Sequence, residues 1–161
     1  MSTVEVARPA SRPTLCAAGA SEPVLRRHVL REPATAIATV LLVEDDGHCR
    51  AGLRRHLVRA GFDVLEAANG LEALHLLRRR KVDVLATDIR MPTMSGIALV
   101  DALTLDHLDL PVIAYSGALL VDPEIRDRLR ARHVPFLLKP FPPEVLVGAL
   151  HAALNRTGPT S

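Results

Sequence analysis

From residue 38 onward, short runs of β-branched and apolar residues alternate with longer amphipathic stretches. This alternation is typical of βα units, in which helices cover both faces of a parallel sheet. We therefore predict an α/β fold with a doubly wound, five-stranded parallel sheet. The predicted strands are Thr39–Val43, Phe62–Glu66, Val82–Thr87, Pro111–Tyr115 and Val134–Leu138.

The stretches that follow these strands carry helical signals. Apolar residues recur at helical spacing on three faces, formed by Leu53, Leu57 and Ala60; by Leu71, Leu74 and Leu77; and by Leu146, Leu150, Ala153 and Leu154. Helix ends are marked by Gly61 as a C-cap, by Asn69-Gly70 and Asp122-Pro123 as N-terminal signals, and by Pro143 in a first turn.

Length and composition exclude several classes of protein. The chain has 161 residues, of which 48% are hydrophobic, enough for one domain with a buried core. Its two cysteines, Cys16 and Cys49, provide no disulfide framework. The longest mostly apolar stretch, Ala34 to Val43, is far shorter than the roughly 20 residues that span a bilayer. We also find no secretory signal, so we expect a cytoplasmic protein that is not in a membrane.

The charge does not indicate nucleic-acid binding. The formal net charge of +2 comes entirely from residues 1–37, and only 2% of residues are aromatic. Residues 1–37 contain four prolines and no sustained periodicity, so we predict a disordered leader. Residues 38–155 form the predicted domain. Residues 156–161 are a short tail, and we expect no effector domain.

Polar side chains follow four of the five predicted strands. Glu44, Asp45 and Asp46 follow the first strand, Asp88 the third, Ser116 the fourth and Lys139-Pro140 the fifth. Ligands of open α/β sheets bind beyond the carboxyl ends of the strands, so these residues form the candidate site. Ala67-Ala68, after the second strand, brings no reactive group.

Carboxylates gathered at one sheet edge favour a divalent cation. Each close pair repels by on the order of 4 kcal/mol at an effective dielectric constant near 20. Oxygen ligands suit Mg²⁺, which also accepts phosphate oxygens. A carboxylate can in addition act as a nucleophile toward phosphorus, while Lys139 and Ser116 would contact phosphoryl oxygens.

These motifs together resemble a known family. The runs Leu41-Leu42-Val43-Glu44-Asp45-Asp46, Thr87-Asp88-Ile89-Arg90-Met91-Pro92 with Gly96, and Leu138-Lys139-Pro140-Phe141, with Ser116 between them, resemble the receiver domain of bacterial two-component response regulators. The single-domain chemotaxis regulators are the members that the chain resembles in organisation. The resemblance implies a flavodoxin-like (βα)5 fold with strand order 2-1-3-4-5.

The resemblance also implies residue roles. Asp88 is the phosphoryl acceptor. The metal, Mg²⁺ or Mn²⁺, is bound by Asp45, Asp88 and the backbone carbonyl of Arg90, with Glu44 acting through water. Ser116 and Lys139 bind the phosphoryl group, Ser116 and Phe136 form the conformational switch, and Pro140 follows a cis peptide bond.

Other residues have structural interpretations. We predict that Asp46 is a helix cap, that Cys49 is a small packing residue and that Arg78 to Lys81 form a solvated helix end. Alternatively, Phe136 is an ordinary residue of the hydrophobic core and has no role in the switch. The six histidines from His48 to His151 show no ligand geometry. The apolar segment from Gly117 to Val121 is either a partner-facing patch or additional core.

Two positions depart from the family pattern. His133 lies where receivers commonly have glycine. Arg90 places a large cation two residues after the acceptor, which predicts an altered lifetime of the phosphorylated state.

The predicted function is that of a stand-alone receiver. It accepts a phosphoryl group from a sensor histidine kinase or phosphotransfer protein in a phosphorelay and contacts a downstream protein that the sequence does not identify. It catalyses its own phosphorylation and slow dephosphorylation without being a turnover enzyme, and a phosphorylation-dependent dimer is left open. The alternative is a receiver-like binding module that acts without phosphorylation. An aspartyl-nucleophile phosphatase is disfavoured, because Arg90 stands where the general acid would be.

Overall fold

A computed structural model describes residues 36–106, 108–117 and 122–156. Five strands alternate with five helices in the described chain. In order, they are β1 (Thr39–Val43), α1 (Gly47–Arg59), β2 (Asp63–Ala67), α2 (Gly70–Leu77), β3 (Val84–Asp88), α3 (Gly96–Leu105), β4 (Val112–Ser116), α4 (Pro123–Ala131), β5 (Phe136–Leu138) and α5 (Pro143–Arg156).

The strands form one parallel sheet in the order β2-β1-β3-β4-β5. The predicted fold class and strand order are therefore confirmed. The strands β3 and β4 are buried along their whole length, whereas β2 and β5 lie at the two edges and are more exposed. Central strands covered on both faces consist mainly of apolar residues, as the sequence runs suggested.

Successive residues of β1 point to opposite faces of the sheet. Val40 and Leu42 pack with α1 and α5, whereas Leu41 and Val43 pack with α2 and α3. Leu129 of α4 belongs to a third apolar cluster, together with Ala114 of β4. Helices thus cover both faces of the sheet, as expected for a doubly wound fold.

The helices begin at the caps predicted from sequence. Asp46 accepts a hydrogen bond from the Cys49 amide, Asn69 from the Glu72 amide and Asp122 from the Glu124 amide. These bonds satisfy backbone donors that have no partner inside the helix. Gly61 has a φ of 95° just beyond α1, a conformation that glycine adopts without steric cost.

His133 occupies the turn before β5 with a φ of 54°. Glycine adopts this left-handed conformation without steric cost, which agrees with the glycine that the family resemblance implied for this turn. Histidine is among the residues that tolerate it best.

Several predicted boundaries were wrong by one or two residues. The second strand begins at Asp63, because its ladder with β1 starts with the pair Thr39 and Asp63. The last strand begins at Phe136, and α5 extends to Arg156, which we had placed in the tail. Apolar runs report burial, whereas strand limits depend on hydrogen bonds to a neighbouring strand.

Leu71 was wrongly placed on the buried face of the second helix. Its side chain is 55% exposed, and Gly70 and Ala73 are buried instead. The buried face of α2 is centred on these small residues because Gly70 lies directly against Met94. A β-carbon at Gly70 would lie 2.7 Å from Cγ of Met94.

Some predictions lie outside the described residues. They are the disorder of the leader up to residue 35, the tail from residue 157, His107, and the segment from Gly117 to Val121 except Gly117 itself. None of the helices in the described ranges is long and apolar enough to cross a membrane.

Candidate functional site

The carboxyl ends of four strands bring the predicted site residues to one edge of the sheet. Glu44 and Asp45 follow β1, Asp88 ends β3, Ser116 ends β4 and Lys139 follows β5. Ala67 ends β2 and adds no reactive group. Parallel strands make this gathering unavoidable, because their carboxyl ends share one edge.

Three carboxylates converge at this edge. Glu44, Asp45 and Asp88 each offer an oxygen, and these oxygens all lie within 4.8 Å of one another. Glu44 is 1% exposed and Asp88 is 5% exposed, whereas Asp45 is open to solvent. Asp46 lies outside the cluster and serves as the cap of α1. The hydrogen bond from the Cys49 amide holds the pKa of Asp46 below its usual value.

Lys139 bridges the two buried carboxylates. Its Nζ lies 2.7 Å from Oε2 of Glu44 and 2.7 Å from Oδ2 of Asp88. Burial opposes the charge on the ammonium group, but the hydrogen bonds that it donates to Asp88 and Glu44 outweigh this effect and raise the pKa of Lys139. Lys139 is therefore a cation at every physiological pH.

Both oxygens of Asp88 face hydrogen-bond donors. Oδ2 contacts Lys139, and Oδ1 accepts a 2.8 Å bond from the Arg90 amide. The Asp88 carbonyl also accepts a bond from the Thr87 hydroxyl. These contacts orient the carboxylate toward the open edge of the sheet.

Gly96 lies directly against the backbone of Asp88. Its amide donates to the carbonyl of Ile89, and a β-carbon at this position would lie 2.1 Å from the Asp88 carbonyl oxygen. Such a distance is well inside van der Waals contact. Only glycine allows α3 to begin so close to the end of β3.

Ser116 and Phe136 lie on the neighbouring strands β4 and β5. Ser116 is buried at the end of β4, where its carbonyl accepts a bond from the Lys139 amide. Phe136 pairs with Ala114 across the β4–β5 ladder and is half-buried against the cluster that contains Leu129. The two proposed switch residues therefore lie on adjacent strands next to α4.

The peptide bond between Lys139 and Pro140 is cis. Pro140 and Phe141 line an apolar cleft of about 450 Å³, together with Cys49, Leu53 and Gly117. Burial and the nearby Glu44 carboxylate raise the pKa of the Cys49 thiol to about 11, so it is protonated at neutral pH. Cys49 packs against the core beside α5.

The donor set fits a magnesium ion. All three candidate ligands are carboxylate oxygens, and with the Lys139 ammonium they leave a net charge of −2 at the edge. A divalent cation neutralises this charge, and hard oxygen donors are those that Mg²⁺ prefers.

Sequence reasoning missed two residues of the site. Tyr115 is fully buried, and its hydroxyl donates to the carbonyl of Val43, while Lys139 Nζ lies 4.9 Å from the centre of its ring. Arg50 donates a 2.6 Å bond to the carbonyl of Glu44. A tyrosine inside an apolar strand is a detectable signal, because its hydroxyl needs a partner. The contact of Arg50 leaves no signal in the sequence.

Comparison with known proteins gives the family. Residues 40–151 match the family model described as "Response regulator receiver domain". The chain belongs to the response regulator receiver domain family. It is thus the receiver domain of a two-component response regulator, as the resemblance implied.

Curated relatives are longer than the matching region. The chain is 37% identical over 122 residues to the transcriptional regulatory protein PrrA of Mycobacterium tuberculosis, which covers 76% of this chain and 52% of that protein. It is 36% identical over 123 residues to the phosphate regulon transcriptional regulatory protein PhoB of Pseudomonas aeruginosa, covering 75% and 53%. The receiver thus spans about half the length of these relatives.

Solved receiver structures share the fold. Chemotaxis protein CheY4 of Vibrio cholerae aligns with a TM-score of 0.67 at 32% identity, over 74% of this chain and 100% of that one. The receiver domain of the Francisella response regulator 1452 aligns with a TM-score of 0.68 at 28% identity, over 74% and 98%.

Proposed function

We propose that Asp88 of this receiver accepts a phosphoryl group from the phosphohistidine of a sensor histidine kinase or phosphotransfer protein. The observation that carries the proposal is the contact of Lys139 with both Asp88 and Glu44 at the edge where Asp45 also lies. A nucleophile, a fixed cation and a group of metal ligands are the parts that phosphoryl transfer requires.

In this reaction a carboxylate oxygen of Asp88 attacks phosphorus. A phosphorus–oxygen bond forms, the phosphorus–nitrogen bond of the donor breaks, and the imidazole leaves with the electron pair of that bond. Lys139 pairs with a phosphoryl oxygen in place of its present contact with Asp88. The Arg90 amide holds the other oxygen of the acceptor carboxylate and so fixes its orientation.

The metal ligands in this proposal are Asp45, Asp88 and the carbonyl of Arg90, with Glu44 acting through water. When bound, Mg²⁺ or Mn²⁺ neutralises charge on the transferring phosphoryl oxygens. Glu44 stays buried beside Lys139, so its negative charge is shared between the ammonium group and the metal site.

Phosphorylation then shifts the balance between two conformations. The new group carries about −1.5 to −2 charges at pH 7 and favours the state in which Ser116 and Lys139 close on it. Phe136, on the strand next to Ser116, transmits the change to the face formed by the last two strands and helices. A downstream protein binds this face. Four expectations from the sequence stay predictions. They are that the protein does not bind nucleic acid, that it is a stand-alone receiver, that it is cytoplasmic and that it is not a turnover enzyme.

Phosphate incorporation from a small acyl-phosphate donor tests the proposal. Wild type, Asp88→Asn and Asp63→Asn are incubated with and without Mg²⁺ and resolved by phosphate-affinity electrophoresis. Asp63 is an exposed aspartate at the opposite end of the sheet and serves as the matched control. We expect a Mg²⁺-dependent shifted band in wild type and Asp63→Asn that is absent from Asp88→Asn.

Failure of folded wild type to label beside a known active receiver would contradict the phosphoacceptor role. A receiver-like binding module that acts without phosphorylation would then be the better interpretation of this protein.

A further inference from the structure

Arg50 connects the ends of β1 and β2 from the first turn of α1. Its Nη1 donates a hydrogen bond of 2.6 Å to the carbonyl oxygen of Glu44. Its Nε lies 3.6 Å from Oε1 of Glu66 in β2. One helical turn later, Nε of Arg54 lies 3.0 Å from the other oxygen of Glu66. Glu66 thus pairs with both arginines, but of these two only Arg50 also donates a bond to the Glu44 carbonyl.

The oxygen that Arg50 holds belongs to the peptide unit between Glu44 and Asp45. Because a peptide unit is planar, holding its oxygen also fixes the direction in which the chain enters Asp45. Among the residues that the structure describes, no hydrogen bond or ion pair holds the Asp45 carboxylate itself. The position of that carboxylate therefore depends on the backbone that carries it.

The preceding peptide unit, between Val43 and Glu44, is anchored by the sheet. The amide of Glu44 donates to the carbonyl of Ala67, which continues the ladder between β1 and β2. Beyond Glu44 the chain leaves the sheet. The Asp46 amide donates a long bond of 3.4 Å to Oε1 of Glu44, and the next bond between backbone atoms is that of the Arg50 amide to the Asp46 carbonyl. Arg50 thus supports the backbone where the ladder ends.

We propose that Arg50 is a positioning residue for the divalent cation. It holds the Glu44–Asp45 peptide unit so that the Asp45 carboxylate converges with those of Glu44 and Asp88, and Glu66 orients its guanidinium group. The inference rests on the proposed function, because it requires the acidic cluster to bind a divalent cation. Arg50 acts through the backbone and touches neither the cation nor the phosphoryl group.

Positioning and charge predict opposite effects of removing Arg50. A guanidinium group repels a nearby divalent cation, so charge alone predicts tighter metal binding when the group is removed. Positioning predicts weaker binding, because Asp45 is no longer directed at the site. The direction in which metal affinity changes therefore distinguishes positioning from charge repulsion.

Direct binding of Mn²⁺ to the full chain tests the proposal without a phosphodonor. Free Mn²⁺ is measured by electron paramagnetic resonance, and thermal unfolding in EDTA checks that each variant folds. For Arg50→Gln we expect the Mn²⁺ dissociation constant to rise about tenfold, as is typical when the support of a metal ligand is removed. Arg54→Gln makes the same charge change on the same helix and also loses a Glu66 pair, so we expect unchanged or slightly tighter binding.

Arg50→Lys provides a second variant that keeps the charge and decides the question if Arg50→Gln does not fold. A lysine ammonium is a single point donor and cannot reproduce the two-sided contact of the guanidinium with Glu44 and Glu66. We expect its dissociation constant to rise roughly threefold or more.

Two results would overturn the proposal. One is that Arg50→Gln binds Mn²⁺ as tightly as Arg54→Gln, and the other is that Arg50→Lys matches wild type. If either occurs while wild type binds Mn²⁺, the role of Arg50 fails and the proposed metal site stands. If folded wild type binds no Mn²⁺, both fail.

Discussion

Nζ of Lys139 lies 2.7 Å from Oδ2 of Asp88, although 51 residues separate them in the chain. The same nitrogen lies 2.7 Å from the Glu44 carboxylate, 95 residues away. One ammonium group thus holds two buried carboxylates together at the centre of the site. The effect of this contact on stability can be measured without a kinase or a phosphodonor.

Removing the Lys139 ammonium should destabilise the fold at neutral pH. Lys139→Met leaves Glu44 and Asp88 buried without their cation. Since Lys139 is partly exposed, we expect a loss of about 1–3 kcal/mol in the free energy of unfolding, less than for a fully buried pair. Urea unfolding at pH 7 in EDTA measures it. Lys81→Met, at an exposed lysine, should change stability by less than about 0.5 kcal/mol. Equal stabilities of the two variants would refute this.

A methyl group at Gly96 should be far more damaging than one at Gly148. Gly96→Ala forces a β-carbon against the Asp88 carbonyl, so we expect at least about 3 kcal/mol of destabilisation or failure to fold. Gly148 lies in α5, and apart from its chain neighbours and the local helix backbone no described heavy atom lies within 4 Å of an added β-carbon there. Gly148→Ala should stabilise the protein by about 0.5–1 kcal/mol. Thermal unfolding compares them, and similar midpoints would contradict the close approach.

Tyr115 should resist ionisation in the folded state. Burial, and then the negative charges of Glu44 and Asp88, raise the pKa of Tyr115 well above 10. It is the single tyrosine of the chain, so tyrosinate absorbance reports this residue alone. We expect no tyrosinate at pH 10.5 in folded protein and normal ionisation near pH 10 in urea.

The same shift links stability to pH. A group whose pKa is raised by folding contributes fully below its unfolded value, and this contribution is lost as the pH rises through the folded one. The free energy of unfolding should therefore decline above pH 10. Tyrosinate absorbance near pH 10 without unfolding would show that Tyr115 is not buried as described.

Arg90 should lengthen the lifetime of the phosphorylated state. Its amide contacts Asp88, its side chain is exposed, and a shorter residue leaves more room for attacking water. We expect Arg90→Asn to lose phosphate at least about twofold faster, a difference of roughly 0.4 kcal/mol in activation free energy. Decay of the phosphorylated band after removal of the donor measures the rate. Arg78→Asn, at another exposed arginine, should match wild type, and an unchanged rate in Arg90→Asn would defeat the prediction.

The sequence predicted the fold because its main signals are local. Alternating apolar runs and caps such as Asn69 and Asp122 depend on residues a few positions apart, and they define the order of strands and helices. Parallel strands bring their carboxyl ends to one edge, so Asp88 and Lys139 could be assigned to one site before any distance was known. The strand order itself came from the family resemblance.

Other features depended on tertiary contacts. Leu71 has the right spacing for a buried face, yet the close approach of Gly70 to Met94 turns it outward. The bond from Arg50 to the Glu44 carbonyl depends on where Glu66 lies on the neighbouring strand. Periodicity determines which face of an element is apolar, but packing between elements decides how closely they approach and which polar atoms meet. The sequence by itself therefore determined the sheet and the edge that carries the site, and only the tertiary structure decided which groups hold the carboxylates in place.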